Sequence, residues 1–497
     1  MRIPIPARCF HQVALCFGLA SLGLFPPTAL GQTYKVLKSF APLAQDPSTG
    51  WYTNSDGAYP AADLIQSGQT LFGVTVSGGS LGSGSVFKIN SDGSGFAVLH
   101  SFAAVATNAA GTFTNLDGQQ PRGRLLLSGD VLFGTAEYGG EFGGGTLFRV
   151  TTNGEQFEVL KHFVPGGADG AYPSTGVDVP GGEMVYGTTT SGGKPGAGVI
   201  FRVGTTGNNF SVVHNFSYAA TNGALPYGTL LRAGSVFYGT TYAGGASGYG
   251  TVYKMNTNGG DFTVLKSFPA TVADANADGA QPQSRLVTSD GVLYGTTYAG
   301  GVSSNGVVFR LNTDGTAFTN LYSFSATTNR FGSSVNSDGA HPGSRLVLAG
   351  NTLYGTTEYG GNGAGTLFSI NTDGSSFLRL RTFTSTDFND GRVPSAGLVL
   401  SGAIFYGVTQ YGGTNNAGTV FSYQWQPAPP ITIARLGANI ILSWPTNDFT
   451  FTLESTARLG ASAAWSSLSP APAIVNGRNT VTNPATGAAE FNRLSPY

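Results

Sequence analysis

The chain has 497 residues, 75 of them Gly and 25 Pro, with 40% hydrophobic, 12% aromatic and only 10% charged residues. Charge this sparse, against about 25% in an average soluble protein, excludes a charge-laced helical bundle and disorder driven by net charge, while the aromatic content calls for packed cores. With 25 Lys and Arg against 26 Asp and Glu, no basic surface is implied, so nucleic acid and anionic membrane are poor partners.

In chain order, Arg2 and Arg8 precede an apolar run from Val13 to Phe25, followed by Pro26-Pro27 and the small-residue site Ala29-Leu30-Gly31. This pattern reads as a secretory signal over residues 1–31, cut before Gln32. The run is 13 residues long, well short of the roughly 20 that a spanning helix needs, so no transmembrane segment is expected. Both cysteines, Cys9 and Cys16, fall inside it, and the mature chain is expected to be exported, mildly acidic and free of disulfides.

The remainder repeats. An aromatic-Gly-[Thr/Val] core recurs at Phe72-Gly73, Phe133-Gly134, Tyr186-Gly187, Tyr238-Gly239, Tyr294-Gly295, Tyr354-Gly355 and Tyr406-Gly407, with successive glycines 52 to 61 residues apart. Each unit reads as four short strands, A to D, divided by Asx-Gly turns. In the fifth unit they are expected at 284–288, 292–298, 307–312 and 318–324. Four antiparallel strands repeated radially make a propeller blade, against which a linear β-solenoid would need much shorter coils.

The two ends decide between them. The seventh unit stops after its strand C, Gly418-Thr419-Val420-Phe421-Ser422-Tyr423, and the missing strand D lies at the other terminus. There, 34–40 (YKVLKSF) matches 262–268 (FTVLKSF) in phase and type. An N-terminal strand that completes the last unit closes a ring and removes two exposed edges. The expected fold is therefore an all-β, seven-bladed β-propeller over 32–425, with kelch-like spacing and closed by 34–40.

The recurring YGTT-x-x-GG, G-[TV]-[VL]-[FY]-[KR]-[LIM]-N-T-[DN]-G and F-x-V-L-[KH]-S-F modules, joined by DGA-x-P links, resemble the GloVer tandem repeats of exported bacterial proteins with variable C-terminal anchoring or sorting ends. The resemblance covers nearly the whole repeat region. It implies a repeat-built exported protein and carries over no catalytic residues.

After the repeats, Gln426-Pro427-Ala428-Pro429-Pro430 reads as a stiff linker over 426–430. Residues 431–497 alternate apolar and polar, with a turn signal at Asn476-Gly477, as expected of a small β-rich accessory domain.

If D is outermost, the D-to-A links and the B-to-C loops share one face. Each link carries Asx-Gly followed by Pro (60, 121, 173, 226, 282, 342 and 394), which is turn chemistry. A sharper reading of Asp274-x-Asn276-x-Asp278-Gly279 is a loose oxygen cage for Ca²⁺. A complete EF-hand is excluded because Arg285 stands where the bidentate carboxylate belongs. The double glycines lack the Lys-Ser/Thr of a phosphate loop, and Ser80 in Gly78-x-Ser80-x-Gly82 lacks the strand-to-helix elbow of a nucleophile. His100, His162, His214 and His341 are scattered over different units and form no triad or zinc site.

The remaining candidates gather at the expected pore mouth: Glu137 and Glu358 at the ends of strands B, Asp63, Arg124, Arg285 and Arg345 near the starts of strands A, and Tyr138, Tyr359 and Tyr411 in the B-to-C loops. Aromatic faces beside carboxylates and guanidinia suit sugars or another polar polymer. Glu137 and Glu358 are expected to face one another across the opening, held ionised by the arginines. A monomeric, exported, non-enzymatic scaffold or binding module for a glycan or cell-envelope polymer is the expected function, with no required cofactor. The competing readings are a secreted polysaccharide-active hydrolase or lyase and a purely structural cell-surface protein.

Overall fold

Short runs of alternating apolar residues bury one side only when paired, and in this chain they pair locally, repeat by repeat. The computed structural model describes residues 33–424 except 48, 110, 179–181, 220–221, 331–332 and 385–387, together with 432–437, 439–445, 451–456, 466–467, 472–475, 478–484 and 491–496. The expected signal segment, the Pro-rich linker and the Asn476-Gly477 turn lie outside the described residues.

The fold is all-β. Among the described residues, seven antiparallel sheets of three to five strands follow one another from 33 to 424, with four two-stranded ladders beside them, and helical structure is limited to a single 3-10 turn at Phe388–Asp390. The fifth sheet is representative, with strands Val287–Ser289, Val292–Thr297, Val307–Asn312 and Thr319–Ser323 in sequential order. Its strand A starts later than the expected 284. Backbone pairing begins only at Val287. The Ser284 hydroxyl bonds Thr296 of strand B (2.9 Å) while its carbonyl accepts from Thr240 of the preceding repeat (3.0 Å), and Arg285 Nε donates to the Leu230 carbonyl of that repeat (3.1 Å). In the third repeat the described residues before strand B show one bridge, Asp178 with Tyr186.

The last sheet is completed from the N-terminus. Thr33–Ser39 pairs antiparallel with Thr419–Gln424, giving the order 33–39, 419–424, 404–409, 399–401. Apolar clusters then join each sheet to the next. Phe72, Val74 and Val86 of the first meet Leu125, Leu132 and Phe148 of the second, and the pattern continues to Tyr354, Leu367 and Phe383 of the sixth against Phe405 and Phe421 of the seventh. The seventh also packs on the first, through Tyr406, Val420 and Phe40 against Leu64, Leu71 and Phe87.

The aromatic-Gly-Thr core has a packing cause. Each core glycine is paired across the sheet with a strand C aromatic, as Gly73 with Phe87 and Gly295 with Phe309. A Cβ at Gly295 would lie 2.6 Å from the Phe309 ring and 2.7 Å from Leu286. The following Thr donates its hydroxyl to the inner wall of the next repeat, as Thr240 to Ser284 O (3.0 Å) and Thr356 to Ala396 O (3.1 Å).

The outer strands are tied by a second device that recurs at every junction. Lys38, His100, Lys161, His214, Lys266, Tyr322 and Arg381 occupy one position, and each bonds the Asx of the link that follows it. Lys38 reaches Asp56 at 2.5 Å, His100 reaches Asp117 at 2.9 Å and Tyr322 reaches Asp338 at 2.7 Å. His214 meets Asn222, Lys266 meets Asp278, and Lys161 and Arg381 meet Asp169 and Asp390. The same side chain covers the first aromatic of the next outer strand. His100 stacks on Phe157 (3.6 Å) and Tyr322 on Phe377 (3.9 Å), while the Lys38 ammonium lies 4.4 Å over Phe96. At the last junction, Arg381 of the sixth repeat sits 3.5 Å over Tyr34 of the N-terminal strand. Contacts of this type contribute about 0.5–1.5 kcal/mol each.

The chain divides into two compact units, Gln32–Trp425 and a second that holds Gln426–Tyr497. In the second, Thr432–Leu436, Asn439–Pro445, Arg478–Pro484 and Ala473–Val475 form one sheet, and Ser466–Ser467, Phe451–Thr456 and Phe491–Pro496 another. Leu442, Trp444, Leu453 and Val481 are its buried core.

Candidate functional site

The site is built by the links. Ala58, Ala171, Ala280, Ala340 and Arg392 bridge to the residues just after strand B of their own repeats, so links and B-to-C loops lie at one end of the sheets. The residue before each link proline has positive φ although it is not glycine: Tyr59, Gln120, Tyr172, Leu225, Gln281, His341 and Val393 lie between 56° and 60°. Such a backbone costs about 1–3 kcal/mol and persists because its N–H is held by the repeat before it. Tyr59 N donates to Ala417 O, Gln281 N to Tyr249 O and His341 N to Asn305 O, at 2.8 to 2.9 Å.

That geometry turns the link side chains onto aromatics of the neighbouring loop. Tyr59 meets Tyr411 (5.2 Å between ring centroids), Tyr172 meets Tyr138 (5.4 Å), and His341 stacks on Tyr298 (4.7 Å) with Tyr359 edge-on at 5.8 Å. Tyr227, which follows its link proline, joins them by meeting Tyr242 of its own repeat (5.6 Å). Tyr138, Tyr227 and Tyr359 each remain 39% exposed, so the collar offers ring faces to solvent.

The two carboxylates belong to this collar but act separately. Glu137 is bound by Arg122 at 2.8 Å. Burial raises its pKa, with the Arg122 charge pulling it back down. Glu358 is pushed by burial up to about 7, and its main polar neighbour is the Tyr298 hydroxyl at 3.5 Å. The expectation that Arg124, Arg285 and Arg345 hold both carboxylates ionised is corrected here. Those arginines lie deeper, and desolvation dominates at both glutamates. Because folding raises the Glu358 carboxyl above its unfolded value near 4.5, the folded state holds that proton more tightly. Its contribution to stability is therefore full below about pH 4.5 and is lost as pH rises through about 7, by up to ~3 kcal/mol. In urea unfolding from about pH 5 to 8, wild type is expected to lose stability relative to Glu358→Gln; a constant difference would show that Glu358 titrates normally.

Below the collar, the residues after each link proline line a cavity of about 130 Å³, to which all seven repeats contribute. Asp63, Arg124, Thr229, Arg285 and Arg345 form its inner layer. Arg345 Nε donates to Asp63 (3.1 Å) and an Nη to Leu398 O (3.1 Å), and the other Asp63 oxygen accepts the Gly397 N–H (2.6 Å). Arg124 and Arg345 also line a second cavity of about 710 Å³ with Ile65, Leu348 and Leu400, so the arginine layer forms the boundary between the two. Burial first, then Arg345, pull the Arg124 guanidinium down to about 10. It stays charged at neutral pH.

The Ca²⁺ reading finds its residues otherwise engaged. Asn276 Oδ1 accepts the backbone N–H groups of Asp278 and Gly279, its amide donates to Pro269 O and Gly279 O, and Asp278 is paired with Lys266. Asp274 is exposed in a separate turn at φ 64°. Asn54, Asn115 and Asn336 use their carbonyls in the same way, each bridging the link to a double-glycine loop, as Asn54 does to Gly57 and Gly79 (2.8 Å each). Among the described residues no group of three or more His, Cys, Asp or Glu side chains is arranged to hold a metal.

Sequence reasoning missed Arg122, Tyr227, Tyr242, Tyr298 and His341. The available signal was their fixed offset from the link proline or from strand B, legible only when the seven repeats are stacked in register.

A family model for the Gloeobacter/Verrucomicrobia repeat matches residues 48–183, 167–335 and 326–434. The chain belongs to that family. Among curated proteins none matches this member of the Gloeobacter/Verrucomicrobia repeat family. Solved structures similar to it include an oligogalacturonate lyase in complex with manganese, at 11% identity over 80% of this chain and 97% of that one (TM-score 0.42). Another is the oligogalacturonate lyase of Vibrio parahaemolyticus, at 10% identity over 80% and 97% (TM-score 0.40). A nidogen/laminin complex matches at 13% identity over 52% and 79% (TM-score 0.33). At these scores none of their activities transfers to this repeat protein. No helix among its described residues is long and apolar enough to cross a membrane.

Proposed function

We propose that residues 32–425 form a closed seven-bladed β-propeller that serves, after export, as a monomeric non-enzymatic binding module for a carbohydrate or another hydroxyl-rich polymer. Closure is supported by the N-terminal strand in the seventh sheet and by the seventh-to-first apolar cluster. The observation that carries the binding reading is the collar, in which half-exposed Tyr138, Tyr227 and Tyr359 stand beside Glu137, Arg122 and Glu358. Sugars present flat C–H faces and rims of hydroxyls, and this arrangement supplies ring faces for the first and charged acceptors and donors for the second. On a glycan array followed by calorimetry, wild type is expected to bind at least one polymer. Tyr138→Ala/Tyr359→Ala and Glu137→Ala/Glu358→Ala should each weaken that binding at least tenfold. No binding, or equal binding by all three proteins, would remove the collar as a site.

A second reading, a polysaccharide-active hydrolase or lyase, is favoured by one feature: Glu358 is tuned to about 7, the range in which a carboxyl works as a general acid or base at neutral pH. Product release from the bound polymer that disappears in Glu358→Gln would promote it over the binding module.

A further inference from the structure

Three guanidinium groups, Arg124, Arg285 and Arg345, converge on the inner layer of the 130 Å³ cavity, where the carboxylates that act on them are Asp63 and Asp178. Both Asp63 oxygens are already engaged, one by Arg345 and one by the Gly397 N–H. Arg285 spends its Nε on Leu230 O. The Nε of Arg124 is buried without a hydrogen-bond partner among the described residues, and so are the hydroxyls of Ser174 and Ser395. All three of these side chains line the same cavity.

Buried donors without acceptors are costly, and more so when charged. Protein interiors rarely leave such groups unpaired, and this cavity brings three together beside an excess of positive charge. Its volume exceeds what one water needs several-fold. A group that supplied several acceptor oxygens and a negative charge would answer both the unpartnered guanidinium and the excess charge, with serine hydroxyls on the same cavity wall as further donors. Hydroxyl-rich neutral ligands could bond the serines but would leave the charge uncompensated.

We propose that this cavity holds a small oxyanion, a carboxylate, phosphate or sulfate group, bound by Arg124 and Arg285 with Ser174 and Ser395 as further donors, while Arg345 stays committed to Asp63. This site is independent of the collar: the cavity can take an anion whether or not the outer face binds a polymer. An oxyanion could arrive free or as the acidic end of a larger molecule, and the two sources share this chemistry.

The test is calorimetry of the purified repeat protein with sodium sulfate, sodium phosphate and sodium acetate, each against sodium chloride at equal ionic strength. Saturable one-to-one binding of at least one of the three is expected, with a thermal midpoint that rises with its concentration. Preference for sulfate or phosphate points to a free inorganic ion, and preference for acetate to a carboxylate-bearing molecule. Arg124→Met and Arg285→Met should weaken binding at least tenfold, and Arg124→Met should keep or raise the midpoint in chloride because it removes a buried unpartnered charge. Should Arg124→Met fail to fold, Arg124→Lys keeps the charge but loses the fork and should still weaken binding. No saturable binding of any of the three, or undiminished binding in the arginine variants, overturns the proposal.

Discussion

A chain starting at Ala41 is expected to melt at least ~10 °C below one starting at Gln32, or to aggregate during preparation. The deletion removes every backbone partner on the outer side of Thr419–Gln424 and takes Phe40, which is fully buried in the cluster between the seventh and first sheets. Losing the Phe40 ring alone costs about 3–5 kcal/mol. The deletion also frees Asp56 and Phe96 from Lys38 and uncovers Arg381 from Tyr34. Loss at both junctions of one sheet leaves a hydrophobic, unpaired edge, the kind of template on which chains associate. Adding a peptide of residues 33–40 in trans should restore part of the midpoint in differential scanning calorimetry. A truncated chain with an unchanged midpoint would show that this strand does not close the last sheet.

Gly295→Ala is the second large effect, expected to lower unfolding free energy by about 1–3 kcal/mol through overpacking alone. The glycine has an ordinary backbone, so conformational strain is not the cause. The new methyl would instead press on the Phe309 ring and on Leu286, both fully buried. Neither can yield, because Phe309 is packed against Phe268 and Phe318 (5.6 and 5.7 Å) from the repeat before and its own outer strand. Gly260→Ala is the control, since the nearest atom to its added carbon is the Asn258 side-chain oxygen at 3.3 Å. Urea denaturation should separate the two substitutions clearly, and a Gly295→Ala protein as stable as Gly260→Ala would refute the packing account of the repeated core. Combining Gly295→Ala with Phe309→Leu should recover part of the loss by making room for the methyl.

Strands B and C were legible in the sequence because their residues alternate with period two between turns that carry their own chemistry, and such signals are local. The N-terminal strand was legible for the same reason: Tyr34 to Phe40 repeats the phase of Phe262 to Phe268, and a unit lacking its fourth strand stood at the other end of the chain. Tertiary structure alone decided the start of strand A, because the Ser284 carbonyl and the Arg285 side chain are bonded to the preceding repeat. It alone showed that Lys38, His100, Tyr322 and Arg381 are one device in four chemistries, because each contacts an aromatic ring some sixty residues away along the chain or at its other end. The same holds for the site. Residue types named Glu358 and Arg124 as candidates, but their charge states are set by how much water the surrounding repeats exclude and by which charges reach them. Desolvation is a property of the assembled wall, summed over side chains that share no stretch of sequence, and no spacing along the chain records it.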